Sequence, residues 1–276
     1  MRRDPAVLAA ALVLAVLAIA ALGAEWLAPA DPLQIGLRMR LRPPAWVEGG
    51  DPRFLLGADH LGRDLLSRML YGLRVSLLVG VAAATLSAVL GGALGLLAGY
   101  FGRGVDAVAM RVADVQLAFP LLVLAIAVIG IVGASLPAIV LVLGLWGWAG
   151  FARVVRAEVM VQRELDYVQA ALVAGATPWR VMGRHILPNV ASSATVLWTF
   201  AVAQAVVVEG ALGFVGLGVR PPAPSLGGIM NDGRQLLGNA WWVMVMPGCL
   251  LVALVVSLNL LGDALRDWLD PRRMRH

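Results

Sequence analysis

The run VSLLVGVAAATLSAVLGGALGLLAGYFG, residues 75–102, contains no charged side chain. A helix needs roughly 20 apolar residues to cross the hydrocarbon core of a bilayer, which is about 30 Å thick. The length of this run and its lack of charge therefore predict a membrane-spanning helix, and the rest of the chain is interpreted around it.

Five more spans are predicted on either side of this run. The uncharged stretch 115–152 is long enough for two spans, with a break at Gly130, Gly133 and Pro137. The other three are residues 6–24, residues 190–208, which end at Glu209, and residues 240–261, which contain Pro247. A cleaved signal peptide is the alternative for the first of these, but the apolar stretch is long and a good cleavage site is lacking. The predicted fold class is an all-α polytopic membrane protein with six transmembrane helices.

Composition supports the same class. Hydrophobic residues make up 60% of the chain and charged residues 14%, against about 25% charged in a typical soluble domain. All 22 basic residues are arginine; since a P-loop ATPase needs the Walker A lysine, this chain is not one by itself. The single cysteine, Cys249, excludes an internal disulfide and a cysteine metal cluster.

The distribution of arginine predicts that both termini are cytoplasmic. In this orientation arginines gather in the inner loops, whereas the short outer loop near Gly133 has none and the 209–239 loop has only Arg220 and Arg234. The first outer loop is the exception, because residues 38–74 include seven arginines.

The centres of the predicted spans contain no Asp, Glu, Arg or His. Ion-coupled carriers and pumps usually place such a residue in the membrane as a relay or ligand. The sequence therefore disfavours a self-contained secondary transporter and indicates that energy comes from another chain.

A stripe of small residues lies on one face of the second span, at Ser87, Gly91, Gly95 and Gly99. Such stripes let another helix approach closely. The stripe fits either a helix of a second subunit or ordinary packing within the chain, and the second is favoured.

The segment before residue 75 predicts an amphipathic helix on the outer membrane surface. From Leu61 to Leu73, apolar residues recur on one helical face. The polar positions opposite that face are Arg63, Asp64, Ser67 and Arg68. Asp64 and Arg68 have the i,i+4 spacing of an ion pair. A metal site at Asp59, His60 and Asp64 is an alternative, but a turn that caps the helix is favoured, so no metal site is predicted.

The loop between the fourth and fifth spans predicts a helix–turn–helix. An alanine-rich helix ends at Gly175, a suitable residue just past a helix C-terminus. Thr177 is placed to cap a second helix with Pro178 at its first position, and Pro188 marks the start of the fifth span. By pattern alone, a surface for another protein and a plain connector are equally supported.

This loop resembles the EAA loop of ATP-binding-cassette (ABC) importer permeases. That pattern is Glu-Ala-Ala, three residues, Gly, nine residues, Ile-x-Leu-Pro. The positions that match in register are Ala170, Ala171, Gly175, Leu187 and Pro188. Gln169 replaces the acidic residue, and His185 stands where the general pattern has isoleucine.

Three strings resemble the dipeptide, oligopeptide and nickel branch of these permeases. They are RHILPN at 184–189, LGADHLGRD at 56–64 and LGFVGLGVRPP at 212–222. The second string, which follows a single N-terminal span, resembles the C-type subunit of the branch. The resemblance covers nearly the whole chain.

The resemblance implies a type I ABC importer permease fold in a bacterial inner membrane. Residues 1–74 would form an N-terminal helix, an outer loop and an interfacial helix, and residues 75–276 a five-helix core with its coupling loop at about 156–189. The chain would form half of the pathway beside a homologous permease, with no catalysis of its own. Two ABC ATPases would bind the ATP and magnesium, and an extracytoplasmic solute-binding protein would deliver di- or oligopeptides.

The resemblance also implies which residues contact the ATPases. The residues expected at this coupling surface are Tyr167, Gln169, Ala170, Ala171, Gly175, Ala176, Arg184, His185 and Pro188. Nickel, glutathione or another small solute is the alternative substrate within the family. A stand-alone channel, a secondary carrier and a membrane assembly scaffold are alternatives outside it.

The loop from Glu209 to Arg234 is rich in glycine and proline and predicts a bent outer segment. One interpretation places Glu209, Arg220, Pro221 and Pro222 at an outer gate or a binding-protein contact. The other is a packed connector whose glycines permit tight turns. Trp241 and Trp242 are predicted to anchor the sixth span at the outer interface.

Overall fold

The computed structural model describes residues 5–269, and within them regular structure is helical apart from one isolated β-bridge between Ala58 and Asp64. The α-helices in chain order are α1 (Pro5–Leu22), α2 (Ala24–Leu27), α3 (Leu65–Phe101), α4 (Arg103–Leu117), α5 (Leu121–Val132), α6 (Leu136–Arg163), α7 (Asp166–Val173), α8 (Pro178–Val181), α9 (Leu187–Phe214), α10 (Leu226–Gly233) and α11 (Trp242–Leu269). Residue 74, the predicted end of the first part of the chain, lies inside α3.

Five helices in the described residues are long and apolar enough to cross a membrane. They are α1, α3, α6, α11 and the continuous helix Pro178–Phe214, which includes α8 and α9. A sixth span is formed only if α4 and α5, which are bent by 84° at the short break between them, are counted as one. The predicted count of six is therefore the upper count in the structure.

The third predicted span differs most from the structure. Residues 115–117 belong to α4, and α5 has only 12 residues, about 18 Å at 1.5 Å per residue. Pro120 explains the break, because it has no N–H to continue α4 and disfavours a helical residue before it. The predicted break before the fourth span is confirmed: Gly133 has φ +94°, and the Ser135 hydroxyl caps α6 by accepting from the Ala138 N–H at 3.3 Å.

The stripe of small residues on α3 packs against α6 of the same chain. A Cβ added at Gly95 would lie 2.6 Å from the Ala152 carbonyl oxygen, and one at Gly99 would lie 2.8 Å from that of Arg156. The Ser87 hydroxyl donates to the Gly144 carbonyl oxygen at 2.8 Å. Packing within the chain, the favoured interpretation, is confirmed.

The predicted interfacial helix is the first part of α3 rather than a separate element. Its apolar face is buried as expected, but Ser67 and Arg68 on the supposedly exposed face are buried as well. Asp64 caps α3, with one carboxylate oxygen accepting from the Ser67 N–H at 2.7 Å. The predicted Asp64–Arg68 ion pair is therefore wrong. The loop before α3 folds over this end of the helix, and Arg68 forms its ion pair with Asp59 of that loop instead.

Trp242 does not anchor the last span at the membrane interface as predicted. Its side chain is only 5% exposed, and its indole N–H donates to the Ala58 carbonyl oxygen at 3.1 Å. Gly57, at φ +87°, leaves room for the ring, because a Cβ there would lie 2.9 Å from it. Trp241 remains exposed. The outer loop therefore packs against the first turn of α11.

Candidate functional site

The loop between α6 and α9 has the turn predicted from Gly175. The Gly175 N–H donates to the Leu172 carbonyl oxygen and the Ala176 N–H to that of Ala171, each at 3.0 Å. These two bonds form a Schellman motif, which requires a left-handed residue, and Gly175 has φ +84°. No atom lies within 4 Å of a Cβ built on Gly175. The surface of the turn is therefore accessible to another protein.

Apolar side chains hold this turn on the membrane helices. Val168 of α7 and Val181 of α8 are fully buried. They pack with Val155 and Val159 of α6 and with Ile186, just before α9. This small cluster fixes where α7 and α8 lie relative to the spans.

The predicted helix start at Pro178 is confirmed, and α9 begins at Leu187, next to the predicted entry at Pro188, although no break separates α9 from α8. The Thr177 side chain makes no capping bond, although its backbone has the extended conformation of a cap. From α8 the chain continues through a π-helical turn, Met182–Ile186, directly into α9. There the Leu187 N–H bonds to the Met182 carbonyl oxygen, five residues back. The wider turn accommodates Pro188, which lacks an N–H and whose ring would crowd the carbonyl four residues earlier.

Polar side chains of the predicted coupling surface bond mostly to the ends of the spans. The Tyr167 hydroxyl donates to the Gln162 side-chain oxygen at 2.6 Å and accepts from the Asn189 amide at 3.1 Å. The Asn189 amide also donates to the His185 carbonyl oxygen at 2.8 Å. The Gln169 amide donates to the Arg163 carbonyl oxygen at 2.8 Å. A carboxylate has no proton to donate, so Gln169 stabilises the end of α6 in a way that glutamate would not.

The most exposed apolar side chains of the loop are not among the predicted site residues. Val173 is 90% exposed and Trp179 is 69% exposed. The Trp179 ring lies edge-to-face with Phe101 at the end of α3, with ring centroids 6.1 Å apart. Six of the predicted residues are exposed as well: Tyr167, Gln169, Ala170, Gly175, Arg184 and Pro188. The sequence signal that could have predicted Val173 and Trp179 as site residues is the presence of large apolar residues on either side of the glycine turn.

At the other end of the bundle, Glu209 is not at the mouth of a span. The helix continues five residues past it, and its side chain is fully buried. Its carboxyl group accepts from the Ser76 hydroxyl of α3 at 2.7 Å. In this conformation the Glu209 side chain therefore lies inside the helix bundle rather than on its outer surface.

The glycines of the outer segment pack backbone against backbone. A Cβ on Gly213 would lie 2.9 Å from the Gly227 Cα, and one on Gly218 would lie 2.6 Å from the Gly213 Cα. For these glycines the structure therefore supports the interpretation of a packed connector. Arg220, Pro221 and Pro222 are exposed, and the Arg220 guanidinium lies beside Gly133 in the loop before α6.

A cluster of charges joins the first outer loop to α3 and α10. Asp59 pairs with Arg63 at 2.7 Å and with Arg68, while Asp232 lies 3.5 Å from Arg63 and 3.3 Å from Arg68. Burial raises the pKa of Asp59, but Arg68, Arg63 and two backbone N–H groups outweigh it and leave the pKa below its ordinary value.

This charge cluster differs from the metal site considered for the sequence. Ligand atoms of Asp59, His60 and Asp232 lie within 4.8 Å of one another, whereas Asp64 is occupied as a helix cap. Two arginines face the two carboxylates, so the cluster lacks the net negative charge that favours a divalent cation.

Comparisons with known proteins agree on one kind of protein. The family described as "Binding-protein-dependent transport system inner membrane component" matches residues 91–275. The di/tripeptide transport system permease protein DppC of Pseudomonas aeruginosa is 42% identical over 91% of this chain and 83% of that protein. The glutathione transport system permease protein GsiD of Pectobacterium atrosepticum is 38% identical over 99% of this chain and 88% of that protein.

A solved structure supports the fold. A chain of the MetNI methionine ABC transporter in an inward-facing conformation superposes with a TM-score of 0.58 at 22% sequence identity, covering 74% of this chain and 96% of that chain. At this level of identity the similarity concerns the fold alone.

Proposed function

Because this chain belongs to the family of binding-protein-dependent transport system inner membrane components, we propose that it forms half of an import pathway for short peptides. It is a permease subunit of an ABC importer, with the helical membrane fold of such permeases. A homologous permease subunit supplies the other half of the pathway, and a solute-binding protein delivers the substrate.

Short peptides are the proposed substrate because the relatives named for dipeptides or tripeptides are similar over nearly the whole chain. A glutathione permease is similar over 99% of this chain, at 38% identity against 39–43% for these peptide permeases. Glutathione is therefore the second candidate substrate, and a panel of loaded binding proteins separates the two.

The observation that carries the coupling role is the loop from α7 to α8. It presents Val173 and Trp179 beside an open glycine turn, and a buried apolar cluster holds it on the spans. Large apolar side chains exposed in this way are typical of a protein contact surface. Here the surface would fit a groove on each ATPase and transmit its closure to α6 and α9. ATP and magnesium bind to the ATPases, and this chain catalyses no reaction.

The proposed topology places this loop and both termini in the cytoplasm of a bacterium, with the protein in its inner membrane. The 37-residue α3 is about 55 Å long at 1.5 Å per residue, and its Phe101 end touches Trp179 of the loop. The outer loop joins the opposite end of α3 at Leu65. The two loops therefore lie on opposite sides of the membrane.

The proposal is tested by a tagged purification of this chain, co-expressed with a candidate partner permease and two ATPases. We expect the four chains to co-elute and the loaded binding protein to stimulate ATP hydrolysis. Gly175→Glu should abolish stimulation, because the turn requires φ +84°. Gly104→Glu is the control, since this exposed glycine also has no atom within 4 Å of its Cβ position. Purification of this chain alone, with solute flux that needs no ATP, would instead establish a channel or carrier.

A further inference from the structure

The seven arginines of the first outer loop and the start of α3 fall into two groups. Four are paired within the chain: Arg53 with Asp51, Arg74 with Glu25, and Arg63 and Arg68 with Asp59. The remaining three are Arg38, Arg40 and Arg42. These three are exposed and make no side-chain hydrogen bond or ion pair with the described residues 5–269. We call residues 38–42 the arginine segment.

Among the described residues, no acidic side chain of the same loop forms an ion pair with the arginine segment. Arg42 is within electrostatic range of Asp51. However, Arg53 already engages that carboxylate at 2.7 Å and holds the pKa of Asp51 at about 2. The three guanidinium groups are therefore free to bind carboxylates from outside the chain.

The backbone of the arginine segment is held in place. The Leu41 N–H donates to the Asp59 carbonyl oxygen at 3.0 Å, and the Ala58 N–H donates to that of Arg42 at 2.9 Å. The Leu41 side chain packs on the main apolar core. Because the backbone is already ordered, a partner that binds these arginines does not have to order the loop itself.

The position of the segment favours a protein partner over lipid. The backbone at Arg42 packs against Gly57, which in turn packs against Trp242 in the first turn of α11. The segment thus covers the end of the helix bundle, on the side of the membrane opposite the coupling loop. The usual bias in membrane topology places arginine on the cytoplasmic side, so orientation alone does not explain three unpaired arginines here.

We propose that Arg38, Arg40 and Arg42 form a docking surface for an acidic face of the extracytoplasmic solute-binding protein. This inference rests on the proposed function and deepens it by naming the surface. Arginine is enriched at protein interfaces and binds carboxylates with two parallel hydrogen bonds. Opposite charges also steer the two proteins together and accelerate their association.

The test uses the complete importer in nanodiscs of neutral lipid. Loaded binding protein is titrated and the stimulated ATPase rate is measured. The triple variant Arg38→Gln, Arg40→Gln and Arg42→Gln should raise the half-saturating concentration about tenfold, as expected for three exposed ion pairs. The maximal rate should stay the same, and added salt should weaken docking of the wild type more than that of the variant.

A single-charge comparison provides the control. Arg40→Gln and Arg74→Gln each remove one exposed charge, but Arg74 is paired with Glu25 at 2.9 Å. Arg40→Gln should raise the half-saturating concentration about twofold, roughly a third of the triple variant's effect in free energy. Arg74→Gln should leave it unchanged.

Two outcomes would overturn the proposal while leaving the importer assignment intact. In the first, wild type is stimulated and the triple variant has the same half-saturating concentration. In the second, the variant differs from wild type only in nanodiscs of anionic lipid, which would assign the arginines to lipid phosphates. A wild-type complex that no loaded binding protein stimulates would overturn the proposed function as well.

Discussion

The two ends of α3 are built in opposite ways. At the Leu65 end, the outer loop folds over the helix, so that Asp59 and Arg68 are buried and paired and Trp242 is covered. At the Phe101 end, Val173 of α7 and Trp179 of α8 are exposed. The outer end pairs its buried charges Asp59 and Arg68 within the chain, whereas the inner end presents large apolar side chains on either side of a glycine turn. Stability should therefore depend mostly on the first end, and assembly with the ATPases on the second.

The largest effect on stability is expected from Asp59→Ala. This change leaves Arg68, which is almost fully buried, without its main partner. Removing one member of a buried ion pair typically costs about 3–5 kcal/mol. The measurement is chemical unfolding of the purified protein in detergent. The control is Asp51→Ala, which removes a carboxylate from an exposed pair and should lower the unfolding free energy by less than about 1 kcal/mol. Equal losses from the two variants would contradict the contrast between the ends.

Acid should weaken the same end of the molecule. The pKa of Asp59 is lowered in the folded protein, so its carboxylate stabilises the fold at neutral pH. That stabilisation should be lost as the pH falls below about 4, the usual aspartate value, toward the lower folded pKa. The check is the melting temperature between neutral pH and pH 3. In Asp59→Asn the melting temperature should start lower and fall less steeply over this range; a slope as steep as that of wild type would rule out Asp59 as the source.

A smaller effect is expected from Gly175→Val at the inner end. Gly175 has φ +84°, and a left-handed conformation costs other residues roughly 1–2 kcal/mol. Gly175→Asn should recover most of this loss, because asparagine tolerates that conformation. Gly104→Val is the control, since Gly104 lies in α4 with open space around its Cβ position and valine has the higher helix propensity. The unfolding free energy in detergent should be lower for Gly175→Val than for Gly175→Asn. Equal values would mean that the turn rearranges to relieve the strain.

Local signals in the sequence predicted the helical features well. The uncharged runs predicted the spans, and Gly175 and Pro178 predicted the turn of the coupling loop. These features depend on neighbouring residues, so a linear pattern is enough to find them. The stripe on α3 also indicated close packing, although only the structure identified α6 as the partner.

Features that depend on distant residues were not predictable in this way. Arg68 and Asp232 are 164 positions apart, and no local pattern indicates that they meet. Glu209 was expected at a helix end because a charge usually stops a span, but Ser76 of α3 bonds to it inside the bundle. The bend between α4 and α5 was missed because Pro120 lies within an uncharged run and a proline is often tolerated there.

The smallest effect on stability, and a large one on assembly, is expected from Val173→Ser. Val173 is 90% exposed, and such a surface change usually alters stability by less than about 0.5 kcal/mol. If the ATPase covers this side chain, the variant should lose most of the ATPase that co-purifies with wild type. Val161→Ser is the matched control, because Val161 is 64% exposed but lies in α6, outside the segment from α7 to α8. If equal amounts of ATPase co-purified with both variants, the exposed apolar side chains at this end would not mark the ATPase contact. The contrast between the two ends would then concern stability alone.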